Sequence, residues 1–253
     1  MENQIIISPI INGIRYILNN KQDCIQSQLL LGRQCNQEIF KAIKTEIQFK
    51  NLDHFLNVGC HIGTLSLPLS FFLGKVTAIE AYPPTYKLLC DNIAYNNIRN
   101  IETYNIAVGN STEDVYFMSM DMDKICPIEN RNRVVNNTGG MHVFTSDDIL
   151  NCKRSSSLTD REIVGRMDKL DNLPIDNFDI MLVDIEGCEY EFILGASSKI
   201  RKNKPIIIIE IWDDNKRQME NMDRSREDVI RLIFSFGYKL HFVINDDFIF
   251  YPI

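Results

Sequence analysis

The feature that most constrains this chain is Phe55–Gly63, which spells F-L-N-V-G-C-H-I-G. A short apolar run stops at two glycines four positions apart, and a helix-like segment follows. A β-strand that turns tightly into a helix aims backbone N–H groups at a ligand, and glycine lets the main chain come close without a Cβ. The G-x-x-x-G spacing of Gly59 and Gly63 differs from the G-x-G-x-x-G of nicotinamide and flavin sites, which weighs against a hydride-transfer enzyme.

Downstream of this turn, apolar runs alternate with helical periodicity. Strands are expected at His54–Val58, Lys75–Glu80, Ile101–Ile106, Phe178–Asp184 and Pro205–Ile211, the last fully buried because its branched residues run on without alternating. Helices are expected at Thr64–Phe72, Pro84–Asn96, Glu189–Ser198 and Arg226–Phe236. Tyr238–Ile244 and Phe248–Tyr251 close the chain as a hairpin across Asn245-Asp246-Asp247. The sum is an α/β fold of doubly wound type, its mostly parallel sheet ending in an antiparallel hairpin and covered by helices on both faces.

Residues 1–50 show short apolar stretches and two helical patterns, Cys24–Leu31 and Gln34–Phe49. Alone they bury too little to fold, so they are expected to cover the 51–253 domain rather than form one of their own. Residues 119–160 are polar and irregular around Asn136–His142, apart from a short outer strand at Val115–Met118 that precedes them. A polar insertion in an α/β unit marks a substrate-side loop.

Composition removes several function classes. The net charge of −7 disfavours a nucleic-acid partner held by its phosphates. Seven cysteines lie scattered without a C-x-x-C pair, which speaks against zinc ribbons and disulfide frameworks and for a reducing, cytoplasmic setting. The apolar stretch Ile5–Leu18 is interrupted by Ser8, Pro9, Asn12, Gly13 and Arg15, so neither a signal peptide nor a membrane span is expected.

Ligands of open α/β sheets bind outside the carboxyl ends of the strands, and acids collect there in this sequence. Glu80 ends the second strand about 20 residues after the glycine turn, where a carboxylate accepts hydrogen bonds from ribose hydroxyls. Asp184, Glu186 and Glu189 follow the fourth strand, and Glu210 ends the next beside Trp212. Adjacent carboxylates raise one another's pKa and make a base, or hold a hard cation together; the alternative is capping of the following helix. His61 and His142 are competing bases, while His54 and His241 sit in strands and read as structural. No grouping has zinc-like spacing.

Taken in order, these motifs resemble the FkbM family of S-adenosylmethionine-dependent methyltransferases from about Asp53 to the C-terminus. The carriers are Asn57–Gly63, Glu80-Ala81-Tyr82-Pro83, Ala107-Val108-Gly109-Asn110, Asn137-Thr138-Gly139-Gly140, Arg166–Asp171 and Val183–Glu189. Three letters depart from the family pattern: Asn57 replaces an aspartate, and Cys60-His61 replaces Ala-Asn. The resemblance implies a seven-stranded class I methyltransferase sheet binding S-adenosylmethionine through Asn57, Gly59, His61, Ile62, Gly63, Glu80, Ala81, Asn105, Ala107 and Asp184. It implies transfer to a hydroxyl of a sugar, glycan precursor or other small molecule, with Asp184, Glu186 and His142 at the reaction centre. A divalent cation is compatible with this chemistry and is not expected. RNA methylation and a silent, cofactor-fold binding protein are the alternatives, and the oligomeric state is undetermined.

Overall fold

The computed structural model describes residues 5–19, 23–119, 141–145, 164–219 and 222–253. Its centre is a seven-stranded sheet. The strands are β3 (His54–Val58), β4 (Lys75–Ile79), β5 (Ile101–Tyr104), β10 (Ile180–Val183), β11 (Ile206–Glu210), β12 (Tyr238–Ile244) and β13 (Asp247–Pro252). Their spatial order is β12-β13-β11-β10-β3-β4-β5. Parallel pairing runs from β5 to β11, and β13 joins β11 antiparallel in the expected hairpin. The chain therefore reverses its winding between β3 and β10, and that switch point opens a crevice beyond the strand ends.

The inner strands are buried on both faces because helices cover both. One layer of the core gathers Leu56, Val58, Met181, Val183, Ile207 and Ile209 with helix α5 (Glu189–Gly195) and helix α8 (Arg226–Ser235). The other joins Phe55, Ile180, Ile206 and Ile208 to Ile39, Phe40, Ile43 and Ile47 of helix α2 (Gln37–Lys50). Each of those four α2 side chains contributes roughly 1.5–3 kcal/mol by its burial. Ser225 and Asp228 start α8 with a capping box, which answers the orphan N–H groups of its first turn.

The N-terminal residues pack on the glycine turn. Strands β1 (Ile6–Ile7) and β2 (Ile17–Leu18) pair antiparallel, and helix α1 (Cys24–Leu30) follows. Ile11, Ile14, Tyr16, Leu18 and Leu29 share a core cluster with Cys60, Ile62, Leu67, Leu88 and Leu89. Helix α4 (Pro83–Tyr95) supplies the last two, with its prolines in the first turn where a missing N–H does no harm.

Four local expectations change. The helix expected over Thr64–Phe72 is only α3 (Ser66–Leu69) followed by a 3₁₀ turn, Ser70–Phe72; Pro68 is tolerated in so short a helix because first-turn N–H groups lack partners. The strand expected over Ile101–Ile106 stops at Tyr104. Its continuation, β6 (Ala107–Val108), leaves the central sheet and pairs with β9 (Val164–Asp168). With β7 (Glu113–Ser119) and β8 (Met141–Phe144) these form a second sheet of order β6-β9-β7-β8. Helix Glu189–Ser198 breaks at Ala196 into α5 and α6 (Ser197–Asn203), and a short helix α7 (Asp214–Met219) follows β11. Among the described residues no helix is long and apolar enough to cross a membrane.

Candidate functional site at the strand ends

The glycine turn leaves β3 with Gly59 at φ +79°, His61 at +51° and Gly63 at +91°. A Cβ on Gly59 would stand 1.7 Å from the carbonyl oxygen of Asp184, so this glycine lets the turn and the end of β10 touch backbone to backbone. A Cβ on Gly63 would meet Leu67 at 2.0 Å, so that position is reserved for packing under the turn. Asn57 is buried and its amide donates to Ser66 Oγ at 2.8 Å, fastening β3 to α3. Ile62 is buried in the N-terminal cluster.

Glu80 closes the turn from the side. Only 8% exposed, its carboxylate accepts the His61 N–H at 2.9 Å and the Tyr82 N–H at 2.8 Å, one on each oxygen. These bonds use two of about four acceptor sites of a carboxylate, which leaves capacity for hydroxyl donors. Burial pushes Glu80 up to about 7, against the two N–H bonds that favour its charged form. The Asn105 amide donates to the carbonyls of Glu80 (2.9 Å) and Ala81 (3.0 Å) and so holds the backbone after β4. Ala107 is buried in the second sheet, which packs on Ala81 and Tyr82 through Val115, Phe117 and Met167. The Tyr82 and Phe117 rings lie 5.5 Å apart.

Across the Gly59 contact stand the acids. Oxygens of Asp184, Glu186 and Glu210 lie within 4.8 Å of one another. Burial first, then the carboxylates of Glu210, Glu186 and Asp247, push Asp184 well above the usual carboxylate range. The closeness of Glu210 to Asp184 adds to that push, because two neighbouring carboxylates resist being charged together. Trp212 Nε1 donates to Glu210 Oε2 at 3.1 Å and fixes its direction. Asp247 faces Glu210 in the β11–β13 register and is pushed up to about 7 by burial, Glu210 and Asp246. Chemically the cluster can take up a proton near neutrality, and its oxygens are of the kind that ligate a hard cation.

A model of the methyltransferase FkbM domain matches residues 57–240. The chain belongs to this family. Among solved structures, the FkbM methyltransferase of Methylobacillus flagellatus KT is similar at 15% identity and TM-score 0.45, over 79% of this chain and 43% of that one. A putative caffeoyl-CoA O-methyltransferase of Staphylococcus aureus is similar at 12% identity and TM-score 0.49, over 91% and 92%. P. horikoshii TYW2 in complex with MeSAdo is similar at 18% identity and TM-score 0.47, over 98% and 70%. The chain thus spans less than half of the FkbM structure it resembles. No curated protein matches it.

Measured against the FkbM reading of the sequence, the structure brings Asp184, Glu186 and Glu210 together and sets Glu80 and the glycine turn beside them. His142 lies in β8 of the second sheet opposite Met118, and its side chain is outside the described residues. Asn137–Gly140 also lies outside them. His61 is 7% exposed, and the charged group acting on it is Asp23 at the start of α1; burial holds its ring neutral down to about 4. Three participants escaped the sequence reading. Asp247 enters through strand register. Asn92, fully buried on α4, accepts the Ile17 N–H at 2.6 Å and donates to the Ile62 carbonyl at 3.3 Å, tying the N-terminal strand to the FkbM glycine turn. Arg217 pairs with Glu189 behind the acids at 3.1 Å. An amide inside an otherwise apolar helix face was the signal for Asn92.

Proposed function

We propose that this chain is a methyltransferase that uses S-adenosylmethionine to methylate a hydroxyl of a sugar, glycan precursor or other small molecule. The observation that carries the reading is the Gly59–Asp184 contact. It joins, beyond the carboxyl ends of the inner strands, a ribose-type acid (Glu80) to a carboxylate cluster able to accept a proton. S-adenosylmethionine supplies a methyl group on a sulfonium, already bonded to a good leaving group. The chain's work is to hold the acceptor in line and to relieve it of its proton. Glu80 and the turn Asn57–Gly63 hold the nucleoside end, flanked by Ala81, Asn105 and Ala107. Asp184, its affinity for protons raised by burial and then by Glu210 and Glu186, takes the hydroxyl proton, and Glu186 orients that hydroxyl.

The acidic balance of −7 supports a small acceptor over a polynucleotide. Seven scattered cysteines without paired spacing support a reducing, cytoplasmic setting. The cation question is decided by the same assay, run with and without chelator.

The test is methyl transfer to a panel of nucleotide sugars and glycans, followed by mass shift. Asp184→Asn is expected to lower turnover about 100-fold or more while leaving cofactor affinity within about threefold. An Asp184→Asn protein with full turnover removes Asp184 from the proton-accepting role. A wild type that binds no cofactor removes the methyltransferase reading altogether.

A further inference from the structure

Glu186 at φ +54° and Gly187 at φ +102° are two consecutive left-handed residues directly behind the acid cluster. An acidic residue adopts that conformation reluctantly, so something must hold the turn. What holds it is a buried ion pair. Glu189, fully buried, accepts the Gly187 N–H on Oε1 at 2.6 Å and Arg217 Nη1 on Oε2 at 3.1 Å. Arg217, 2% exposed, is aimed in turn: its Nε donates to the Arg224 carbonyl at 2.6 Å, and its own carbonyl accepts the Met222 N–H at 2.9 Å. The Met222 side chain then lies against Gly187, where a Cβ would come within 1.9 Å of it.

We infer that Arg217 is a positioning residue for the strand-end acids: through Glu189 it fixes the Glu186–Gly187 turn that brings Glu186 to Asp184 and Glu210. A buried ion pair is an inefficient way to stabilise a fold, since apolar replacements of similar volume often do as well. What it provides here is direction. The Glu189 carboxylate sits at the first residue of α5 and reaches back from there to Gly187. Arg217 comes from α7, 28 residues further along the chain, and pins the carboxylate in that pose. The functional meaning of the geometry rests on the methyltransferase reading above; the geometry itself does not.

Two double variants without buried charge make the test. Glu189→Gln with Arg217→Met keeps an acceptor for the Gly187 N–H, whereas Glu189→Leu with Arg217→Met removes it. Thermal unfolding and calorimetric binding of S-adenosylhomocysteine establish that both are folded and competent. Hydrogen exchange over residues 184–191 then reports on the turn without any acceptor. The Leu variant is expected to exchange Gly187 at least about tenfold faster than the Gln variant, with β10 and β11 unchanged. Its kcat on an acceptor found by the panel is expected to fall about 100-fold at a KM for S-adenosylmethionine within about threefold, the mark of misplacement rather than lost binding. Equal Gly187 exchange in the two variants, or a Leu-variant kcat within about threefold of wild type, overturns the proposal. Glu189→Gln alone, which keeps Arg217, is compared with its Arg217→Met double: faster Gly187 exchange in the double is expected, and equal exchange in the two overturns the role of Arg217, whether or not the Leu variant folds. Failure of the wild type to bind S-adenosylhomocysteine defeats the methyltransferase reading, while the exchange comparison still decides the positioning role.

Discussion

Replacing Gly59 by alanine tests whether the glycine turn and the acid cluster are one mechanical unit. Two terms add. At φ +79° an alanine pays the left-handed penalty of about 1–2 kcal/mol. Its Cβ would also stand 1.7 Å from the Asp184 carbonyl oxygen, about half a normal contact, and a backbone oxygen at the end of a paired strand cannot swing aside. Overpacking of this kind costs about 1–3 kcal/mol, for a total of roughly 2–5 kcal/mol. For a chain of this size that lowers the melting temperature by roughly 5–20 °C. Gly32→Ala is the control. Its φ of +73° carries the same conformational term, but its nearest neighbour is the Pro9 side chain at 3.8 Å, so only about 1–2 kcal/mol is expected. Differential scanning calorimetry of both variants decides. Equal destabilisation by Gly59→Ala and Gly32→Ala would refute the claim that the turn bears directly on Asp184.

The remaining predictions concern the supports of the site. Glu80 is raised from 4.5 to about 7 in the folded state, so between those values the native protein holds a proton that the unfolded chain has released, and stability contributed by this group falls as pH rises. Denaturant titrations of wild type and Glu80→Gln from pH 4 to 8 should therefore show the variant gaining on the wild type by up to about 3 kcal/mol; a difference independent of pH contradicts the shift. His54, buried against Thr77 and Asn177 and lowered by burial, acts in the opposite sense: its contribution is complete above about 6.5 and fades as pH falls below it. Replacing it with glutamine should flatten the acid limb of the stability curve, and an unchanged limb would count against its burial as the cause. Asn92→Ala leaves the Ile17 N–H and the Ile62 carbonyl without their partner, for a loss of about 2–4 kcal/mol with weakened cofactor affinity. A variant as stable as wild type would show that the N-terminal strand is held by its apolar contacts alone.

Much of this fold was legible because it is written in local patterns. The run His54–Val58 ending at Gly59, the unbroken Ile206–Ile209 and the hairpin around Asn245 each declare themselves within a few residues. The carboxylates of Asp184, Glu186 and Glu210 were visible as charges closing apolar strands. The second sheet was hidden, since its strands find their partners far along the chain, as Val115 does with Gly165. Helix α7 was hidden because D-N-K-R-Q-M has no apolar face to reveal a period. For the same reason no local pattern marks Arg217, and only the three-dimensional path of the chain after β11 brings it to Glu189. Gly59 and Gly63 were found, but one serves a strand contact and the other the packing of Leu67, demands that spacing alone does not express.

The central claim is that the crevice between the glycine turn and the strand-end acids holds S-adenosylmethionine, with Glu80 at its ribose. Isothermal calorimetry of S-adenosylmethionine and S-adenosylhomocysteine with wild type and Glu80→Ala tests it most directly. The account predicts saturable one-site binding by the wild type and a loss of about tenfold or more in Glu80→Ala, the value of two hydrogen bonds to a buried carboxylate. No binding by the wild type, or undiminished binding by Glu80→Ala, would contradict it.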